Sequence, residues 1–416
     1  MTLVLTNRFK LKDSHTLAVY EENGGYKTID KVFATNPDDI IEEVKQSGLR
    51  GRGGAGFPAG LKWSFIPKDP GKPKYVCVNA DESEPGTFKD RYLLELDPHQ
   101  LIEGIIICCY AIQSHDAYIY IRGEFDLPYR RIQAAVDEAY AKGYLGKNIF
   151  GKGYDLNIVV HRGAGAYICG EETALLESLE GKRGNPRVKP PFPATHGAFG
   201  CPTVINNVET ISALPWIITN GAQNYRQWGT EKSPGTKMFS VSGHVNKPGV
   251  YEVPLGYPIK DMIQNECGGV GGTGRLKAVI PGGSSVPVLT AEEALDANLD
   301  YESLMEKGTF LGSGGIIVID DSVDMLWALR NLGHFYSHES CGQCTPCREG
   351  TGWVSKILDR IYHEGGTQAD LDLLNEIADN MSGKTICALA DALAMPVRSY
   401  LKKFPEDFAR HIKKTA

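Results

Sequence analysis

Residues 74–86 read KYVCVNADESEPG, and the fold turns on this stretch. Tyr75, Val76, Cys77 and Val78 form a compact apolar run rich in β-formers, bounded by polar residues, which predicts a short buried strand over 74–79. Asn79, Asp81, Glu82 and Glu84 then crowd a polar turn closed by Pro85-Gly86. Downstream, residues 98–112 predict an apolar helix and residues 117–122 (AYIYIR) a second strand. A helix over 129–142 and a third strand over 155–161 (DLNIVVH) follow, then a helix over 171–180 directly after RGAGAYICG. Strands alternating with helices predict an α/β layer with a parallel sheet. In such sheets ligands sit at turns beyond the strand C-termini, so residues 79–86 form a first candidate site. Asn206 and Asn207 place two adjacent amides on a similar turn.

Upstream, residues 1–50 begin irregularly and then predict a helix over 37–47, with Ile40, Ile41 and Val44 on one face. Near residue 230 the pattern changes. Segments 237–242 and 249–253 flank Asn246-Lys247-Pro248-Gly249, a hairpin signal. A helix over 259–266 and strands over 276–280 and 315–319 follow. From Val323 onward helical periodicity dominates, with Trp353, Ile357 and Ile361 at four-residue spacing. Three domains are expected: 1–230, including an N-terminal segment 1–45; a β-rich module, 231–322; and a helical bundle, 323–416.

The 416 residues carry 44 Lys and Arg against 51 Asp and Glu, a net charge of −7, which argues against a nucleic-acid partner. Hydrophobic residues at 42% and charged residues at 23% exclude disordered and fibrous classes. The longest apolar stretch, 101–112, is too short for a bilayer and carries Glu103, so no direct membrane insertion is expected. The opening residues have neither a basic n-region nor a long apolar h-region, which points to the cytosol.

Four of the ten cysteines stand apart from the rest. Cys341, Cys344 and Cys347 follow a C-x2-C-x2-C pattern, and Cys387 follows after 39 intervening residues. Three thiolates on one loop and a fourth from a distant segment suit a [4Fe–4S] cluster. Zinc is the main rival, although it usually takes two separated C-x2-C knuckles. The other six cysteines read as small buried hydrophobes.

Gly51-Arg52-Gly53-Gly54-Ala55-Gly56 matches G-x-G-x-x-G, but a helix precedes it and Phe57-Pro58 follows, so it is not the ordinary dinucleotide fingerprint. Its small residues still allow backbone N–H groups to approach a phosphate or a flat ring, with Arg52 and Lys62 adding positive charge. A plain connecting loop is the alternative. The second small-residue loop, Arg162 to Gly170, has the strand–loop–helix order of phosphate sites. Glu171 and Glu172 would repel a phosphate there; they suit sugar hydroxyls or a carboxamide, or simply cap the helix.

Taken together, RGRGGAGFPAGLKW, NADESEPGTFKDR, GAGAYICGEETALL, PPFPATHG, INNVET and SCGQCTPCREG resemble the FMN-carrying, NADH-oxidising flavoprotein (51-kDa) subunits of respiratory complex I, over residues 45–400 and in the family's order. The resemblance implies a Rossmann-like FMN domain, a ubiquitin-like β-grasp module and a helical bundle. It places FMN on Gly51, Arg52, Gly53, Gly54, Lys62, Asn79, Asp81, Gly170, Glu171, Asn206 and Asn207. It places NADH against the aromatic rings of Phe57, Phe65 and Phe192, with Glu84, Tyr167, Glu171, Glu172 and Lys189 near the nicotinamide, its ribose or the rest of the nucleotide. Glu84, Tyr167 and Glu172 are the residues expected nearest the chemistry, and the acidic patch is expected to disfavour the extra phosphate of NADPH. One [4Fe–4S] cluster falls to Cys341, Cys344, Cys347 and Cys387, in a bundle separate from the flavin.

The implied partners are a thioredoxin-like [2Fe–2S] subunit and a large multi-cluster iron–sulfur subunit. The implied place is peripheral, on the cytoplasmic or mitochondrial matrix side of the respiratory membrane. The nearest alternative is the diaphorase subunit of a soluble NAD-linked hydrogenase or formate dehydrogenase; a zinc-stabilised interaction protein without redox activity is a reading from another class.

Overall fold

The computed structural model describes residues 3–413. Strands β1 (Tyr75–Ala80), β2 (Asp116–Ile121), β3 (Asn157–Arg162) and β4 (Thr203–Asn207) form an all-parallel sheet in the order β3-β2-β1-β4. The helix Pro98–Ile112 carries the chain from β1 to β2, and every one of its residues but Tyr110 is buried. A helix apolar all round has no solvent face, so it lies inside. Pro98 opens it, where a missing N–H costs nothing, and Gln113 ends it in a left-handed conformation, φ 58°. The helix Pro37–Ser47 matches its expected bounds. The Asn36 side chain caps it by accepting the Asp38 N–H, and Gly48 closes it at φ 69°.

Two short helices, Leu17–Glu22 and Thr28–Ala34, occupy the segment expected to be irregular. Neither N-cap makes a side-chain bond. Tertiary contacts hold them instead: the buried Tyr20 hydroxyl donates to Glu103, and Lys31 Nζ to the Ile218 carbonyl at 2.5 Å.

The second half holds β5 (Thr236–Gly243), β6 (Gly249–Pro254), β7 (Tyr257–Pro258), β8 (Leu276–Ile280), β9 (Leu289–Thr290), β10 (Asn298–Leu299) and β11 (Gly315–Asp320). Five of these form a mixed sheet, β6-β5-β11-β8-β9, in which β11 runs parallel to β5 and antiparallel to β8. The single helix expected over 259–266 is instead an α-turn, Ile259–Asp261, widening into a π-turn, Met262–Glu266. The Cys267 N–H reaches back to the Met262 carbonyl at 3.0 Å, and the wider turn lets Met262, Ile263 and Cys267 all enter the core. The helices Met325–Glu339, Thr345–Glu364, Gln368–Met381 and Leu389–Lys403 form the C-terminal bundle. Among the described residues no helix is long and apolar enough to cross a membrane.

The cores do not respect these divisions. Alternate residues of a strand face opposite sides of a sheet. In β1, Val76, Val78 and Ala80 pack with the Pro98–Ile112 helix, whereas Cys77 joins a different core. That second core combines Tyr120 and Ile205 with Ala278 and Ile280 of β8 and with the bundle residues Leu326, Leu358 and Leu393.

Candidate functional site

A cavity of about 540 Å³ opens beyond the C-terminal ends of β1 and β4. Asn79 and Asp81 line it at the end of β1, Asn207 at the end of β4, and Gly53 and Gly54 from the glycine loop. The loop is shaped from both sides: the Gly51 N–H bonds the Phe57 carbonyl at 2.8 Å, and the Tyr301 hydroxyl donates to the Gly51 carbonyl at 2.8 Å. A Cβ on Gly53 would stand 3.0 Å from Asn207 Cβ. Gly54 holds φ 143°, which disfavours other residues, and a Cβ there would meet no protein atom within 4 Å. Backbone at this position is therefore bare toward the cavity, as a bound phosphate or ring system requires.

The polar turn after β1 is braced from within. Glu82, buried, accepts the N–H groups of Lys89, Asp90 and Arg91 at 2.8, 2.9 and 3.1 Å. The Lys89 ammonium lies 2.7 Å from both Asp90 and Glu209. The Asn207 side chain donates to Asp90 at 2.6 Å and caps the following helix by accepting the Glu209 N–H. Asn79 Nδ2 donates to the Gly170 carbonyl at 2.8 Å, which ties the end of β1 to the second small-residue loop. Burial pushes the Asp81 carboxyl up to about 7, against the pull of Arg122. Glu84 accepts the Tyr167 hydroxyl at 2.6 Å and the Ser285 N–H at 2.8 Å.

Not every expected residue faces this cavity. Gly53, Gly54, Asn79, Asp81, Glu84, Tyr167, Gly170, Glu171 and Asn207 line it, as does the Arg52 position. The Arg52 guanidinium, however, is fully buried and donates to the Tyr225 hydroxyl and to the carbonyls of Pro234 and Thr236. It ties the glycine loop to β5 rather than adding a free charge, although its Nη1 has no protein partner. Asn206 turns away from the cavity and accepts the Trp63 Nε1–H at 2.8 Å.

Lys62 is absent from the wall; its ammonium pairs with Glu172 at 2.9 Å and with the Ile205 carbonyl at 2.8 Å. Lys189 bridges Glu171 and Glu172 at 2.9 and 2.8 Å. Burial works against ionisation at Glu172, but Lys62 and Lys189 hold its carboxyl below the usual carboxylate range. Glu171 also caps the Glu172–Leu179 helix by accepting the N–H groups of Thr173 and Ala174. The expected acidic patch is thus a neutralised ion chain, which removes the bare charge on which rejection of a 2′-phosphate was expected to rest. Phe57, Phe65 and Phe192 lie outside this wall, each about half exposed, with Phe57 and Phe65 rings 6.2 Å apart.

Several cavity residues escaped the sequence reading. Thr87, Lys89 and Asp90 belong to a quoted motif, but nothing in the pattern separated them from surface polar residues. Ser285, Tyr301, Leu311 and Ser313 come from the β-rich module and complete the cavity wall. The PGGSS and GSGG turns, residues 281–285 and 312–315, were the available signal.

Beside this cavity lies a smaller one, ringed by Cys341, Cys344, Cys347 and Cys387 together with Pro186, Ile386 and others. The four thiols surround a space rather than converge on a point; among the described residues no three His, Cys, Asp or Glu side chains are grouped for a single ion. Sulfur atoms spread around an enclosed volume suit a cubane cluster. The Ile386 N–H points at Cys344 Sγ at 3.4 Å, and Ser340 Oγ lies 3.2 Å from Cys347 Sγ. Ile168, Cys387 and Leu389 line both cavities. The cysteine ring is therefore not remote from the larger site, contrary to the expectation of a separate bundle.

Known proteins share this arrangement of domains. Residues 44–216 match the Nuo51 FMN-binding domain, residues 237–319 the SLBB domain, and residues 327–411 the NADH-ubiquinone oxidoreductase-F iron-sulfur binding region. The chain is 51% identical over 410 residues to an NADH-quinone oxidoreductase subunit of Rhizobium meliloti (strain 1021), covering 98% of this chain and 97% of the relative. It is 54% identical over 400 residues to the corresponding NADH-quinone oxidoreductase subunit of Streptomyces coelicolor, covering 96% and 89% respectively. A solved structure of an NAD+-reducing [NiFe]-hydrogenase in the H2-reduced state superposes with a TM-score of 0.87 at 36% identity, over 96% of this chain and 67% of that one. Near-full-length identity above one half, on a fold that carries both cavities, means that this chain belongs to the NADH-quinone oxidoreductase-F family.

Proposed function

We propose that the two cavities form one electron-input device, with FMN and NADH in the larger and the cluster in the smaller. The chain is an NADH dehydrogenase: it oxidises NADH with FMN and delivers electrons to one [4Fe–4S] cluster. The observation that carries the residue-level reading is the common wall of Ile168, Cys387 and Leu389. A single layer of side chains separates the two spaces, which keeps a donor and an acceptor close while excluding water between them.

FMN, when bound, supplies the conversion of a two-electron hydride donor into single-electron release. The chain's own residues do the positioning. Gly53, packed against Asn207, and the bare backbone of Gly54 would leave room for the flat ring or its phosphate tail. Asn79 and Asn207, each fixed by its own hydrogen bonds, present amides whose orientation costs nothing to set at binding. Glu84 and Tyr167 hold a shared proton-bearing hydrogen bond on the nucleotide side. Cys341, Cys344, Cys347 and Cys387 would hold the cluster, and the Ile386 N–H beside Cys344 Sγ and the Ser340 hydroxyl beside Cys347 Sγ would donate to thiolate ligands and so tune its potential.

The chain has greater identity to the quinone-oxidoreductase subunits than to the hydrogenase chain, which favours the respiratory assignment over a soluble diaphorase. Its electrons would pass to a thioredoxin-like [2Fe–2S] subunit and a large multi-cluster subunit, on the cytoplasmic or matrix side of the membrane. Purification with cofactors retained tests this reading. Absorbance and metal analysis should give about one FMN and about four irons per chain, with rapid NADH-dependent ferricyanide reduction. A colourless, zinc-containing protein would refute it.

A further inference from the structure

Glu84 is held by more than its partner across the cavity. Its Oε2 accepts the Tyr167 hydroxyl at 2.6 Å, while its Oε1 accepts the Ser285 N–H at 2.8 Å and the Ser284 hydroxyl at 3.2 Å. Ser284 Oγ in turn lies 2.8 Å from the Tyr336 hydroxyl, and both residues are fully buried. Three separate parts of the chain thus meet on one carboxylate: the turn after β1, the 282–286 loop of the β-rich module, and the Met325–Glu339 helix. Backbone geometry enforces the meeting. Gly283 holds φ 94°, and a Cβ there would stand 2.6 Å from Glu84 Cγ. The Ser284 N–H bonds the Pro85 carbonyl at 3.2 Å, so the loop is stitched to the turn at the residue after Glu84. The same helix also grips Tyr167, whose N–H donates to Glu339 at 3.0 Å and whose ring meets Phe335 edge-on at 5.1 Å.

A carboxylate with two oxygens and three fixed donors has little freedom to turn, and each donor favours its ionised form. Tyr336 matters because it fills the remaining hydrogen-bond capacity of Ser284. With Tyr336 donating to Ser284 Oγ, the single Ser284 proton is left for Glu84; without it, the hydroxyl is free to rotate away from Glu84.

We infer that Ser284 and Tyr336 are positioning residues for nucleotide binding, which act by fixing the Glu84 carboxylate and, through it, the Tyr167 hydroxyl. The inference rests on the placement of the nucleotide beside Glu84 and Tyr167. Neither residue touches the cavity wall itself; their effect travels through one hydrogen bond each.

The test uses the full chain loaded with FMN and cluster, and NAD+ as the probe. Binding to the oxidised protein is read from the flavin difference spectrum, so no turnover is needed. Tyr336→Phe keeps the ring packed against Tyr167 and removes only the hydroxyl; Ser284→Ala removes the next link. Each should weaken NAD+ binding roughly fivefold, the scale of a hydrogen bond to a charged group felt at second hand. The double variant should lose little more than either alone, because both act on one bond. The KM for NADH should rise in step while kcat with ferricyanide holds within about twofold. Unchanged NAD+ affinity in both variants at full flavin and iron content overturns the inference. Loss of flavin along with affinity also counts against it, as that marks general packing. An unmodified protein that binds FMN and cluster but not NAD+ would instead overturn the placement of the nucleotide.

Discussion

Three of the four thiols around the smaller cavity come from seven consecutive residues, Cys341 to Cys347, whereas the larger cavity draws its wall from positions between Arg50 and Met395. The small cavity is apolar and thiol-lined. The large one is braced by buried carboxylates, ammonium groups and glycines. They nevertheless share Ile168, Cys387 and Leu389. A local motif can build a metal site because one loop and one helix start suffice. A site for a flavin and a dinucleotide needs several elements to converge, and each carries its own cost in buried polar groups.

The sharpest way to separate the two cavities is to remove one thiol from each side of the ring. Cys344→Ala should abolish iron binding and leave FMN content intact, because Cys344 lines only the smaller cavity. Cys387→Ala should abolish iron binding and also weaken FMN retention several-fold, because Cys387 lines both. Metal analysis and flavin absorbance on the purified variants measure both effects. Equal FMN content in the two would break the shared wall.

A second contrast lies in titration. The folded Asp81 carboxyl sits at about 7, above its unfolded value near 4. Below pH 4 the group is protonated in both states. Between pH 4 and 7 the folded protein keeps a proton that the unfolded chain releases, so stability falls as pH rises, by at most about 1.4 kcal/mol per pH unit. Asp81→Asn should flatten that slope in denaturant unfolding of the cofactor-free protein, and Cys344→Ala should leave it alone. An unchanged slope in Asp81→Asn would assign the proton to Glu82 or Asp97, both of which burial also raises to about 7.

The smallest effect is expected where the ion chain neutralises itself. Glu172→Gln should shift the NADH to NADPH ratio of kcat/KM by less than about threefold, the scale of a partly exposed ion pair. A shift beyond tenfold would restore the repulsive patch that Glu171 and Glu172 form in the sequence alone.

Three strands of the parallel sheet were legible because they are short apolar runs bounded by polar turns, and β1, β2 and β3 each lie within two residues of the expected place; β4, whose Asn206 and Asn207 read as a turn, was not. The Pro37–Ser47 and Pro98–Ile112 helices were legible to the residue, since a proline opens each and a left-handed residue ends each. The helices Leu17–Glu22 and Thr28–Ala34 were not, because distant side chains such as Glu103 stabilise them. The same divide runs through the site. The cysteine spacing stood in the sequence. The turn at Asp81 and the loop at Gly53 could be located, but the directions of Arg52, Lys62 and Asn206 could not. Each of those side chains answers to a partner more than 80 residues away: Arg52 to Tyr225, Lys62 to Glu172, Asn206 to Trp63.

The alternation of β1 between two cores bears on how such a chain can be rearranged. Cys77 and its neighbours Tyr120 and Ile205 find their cover in β8 and the helical bundle, while the next residues along β1 pack the other way. Three stretches of sequence recognisable as separate units are therefore not interchangeable parts. A recombination that kept the front of the chain and exchanged the rest would have to bring a matching apolar lid for one whole side of the sheet, and would leave that side wet if it did not.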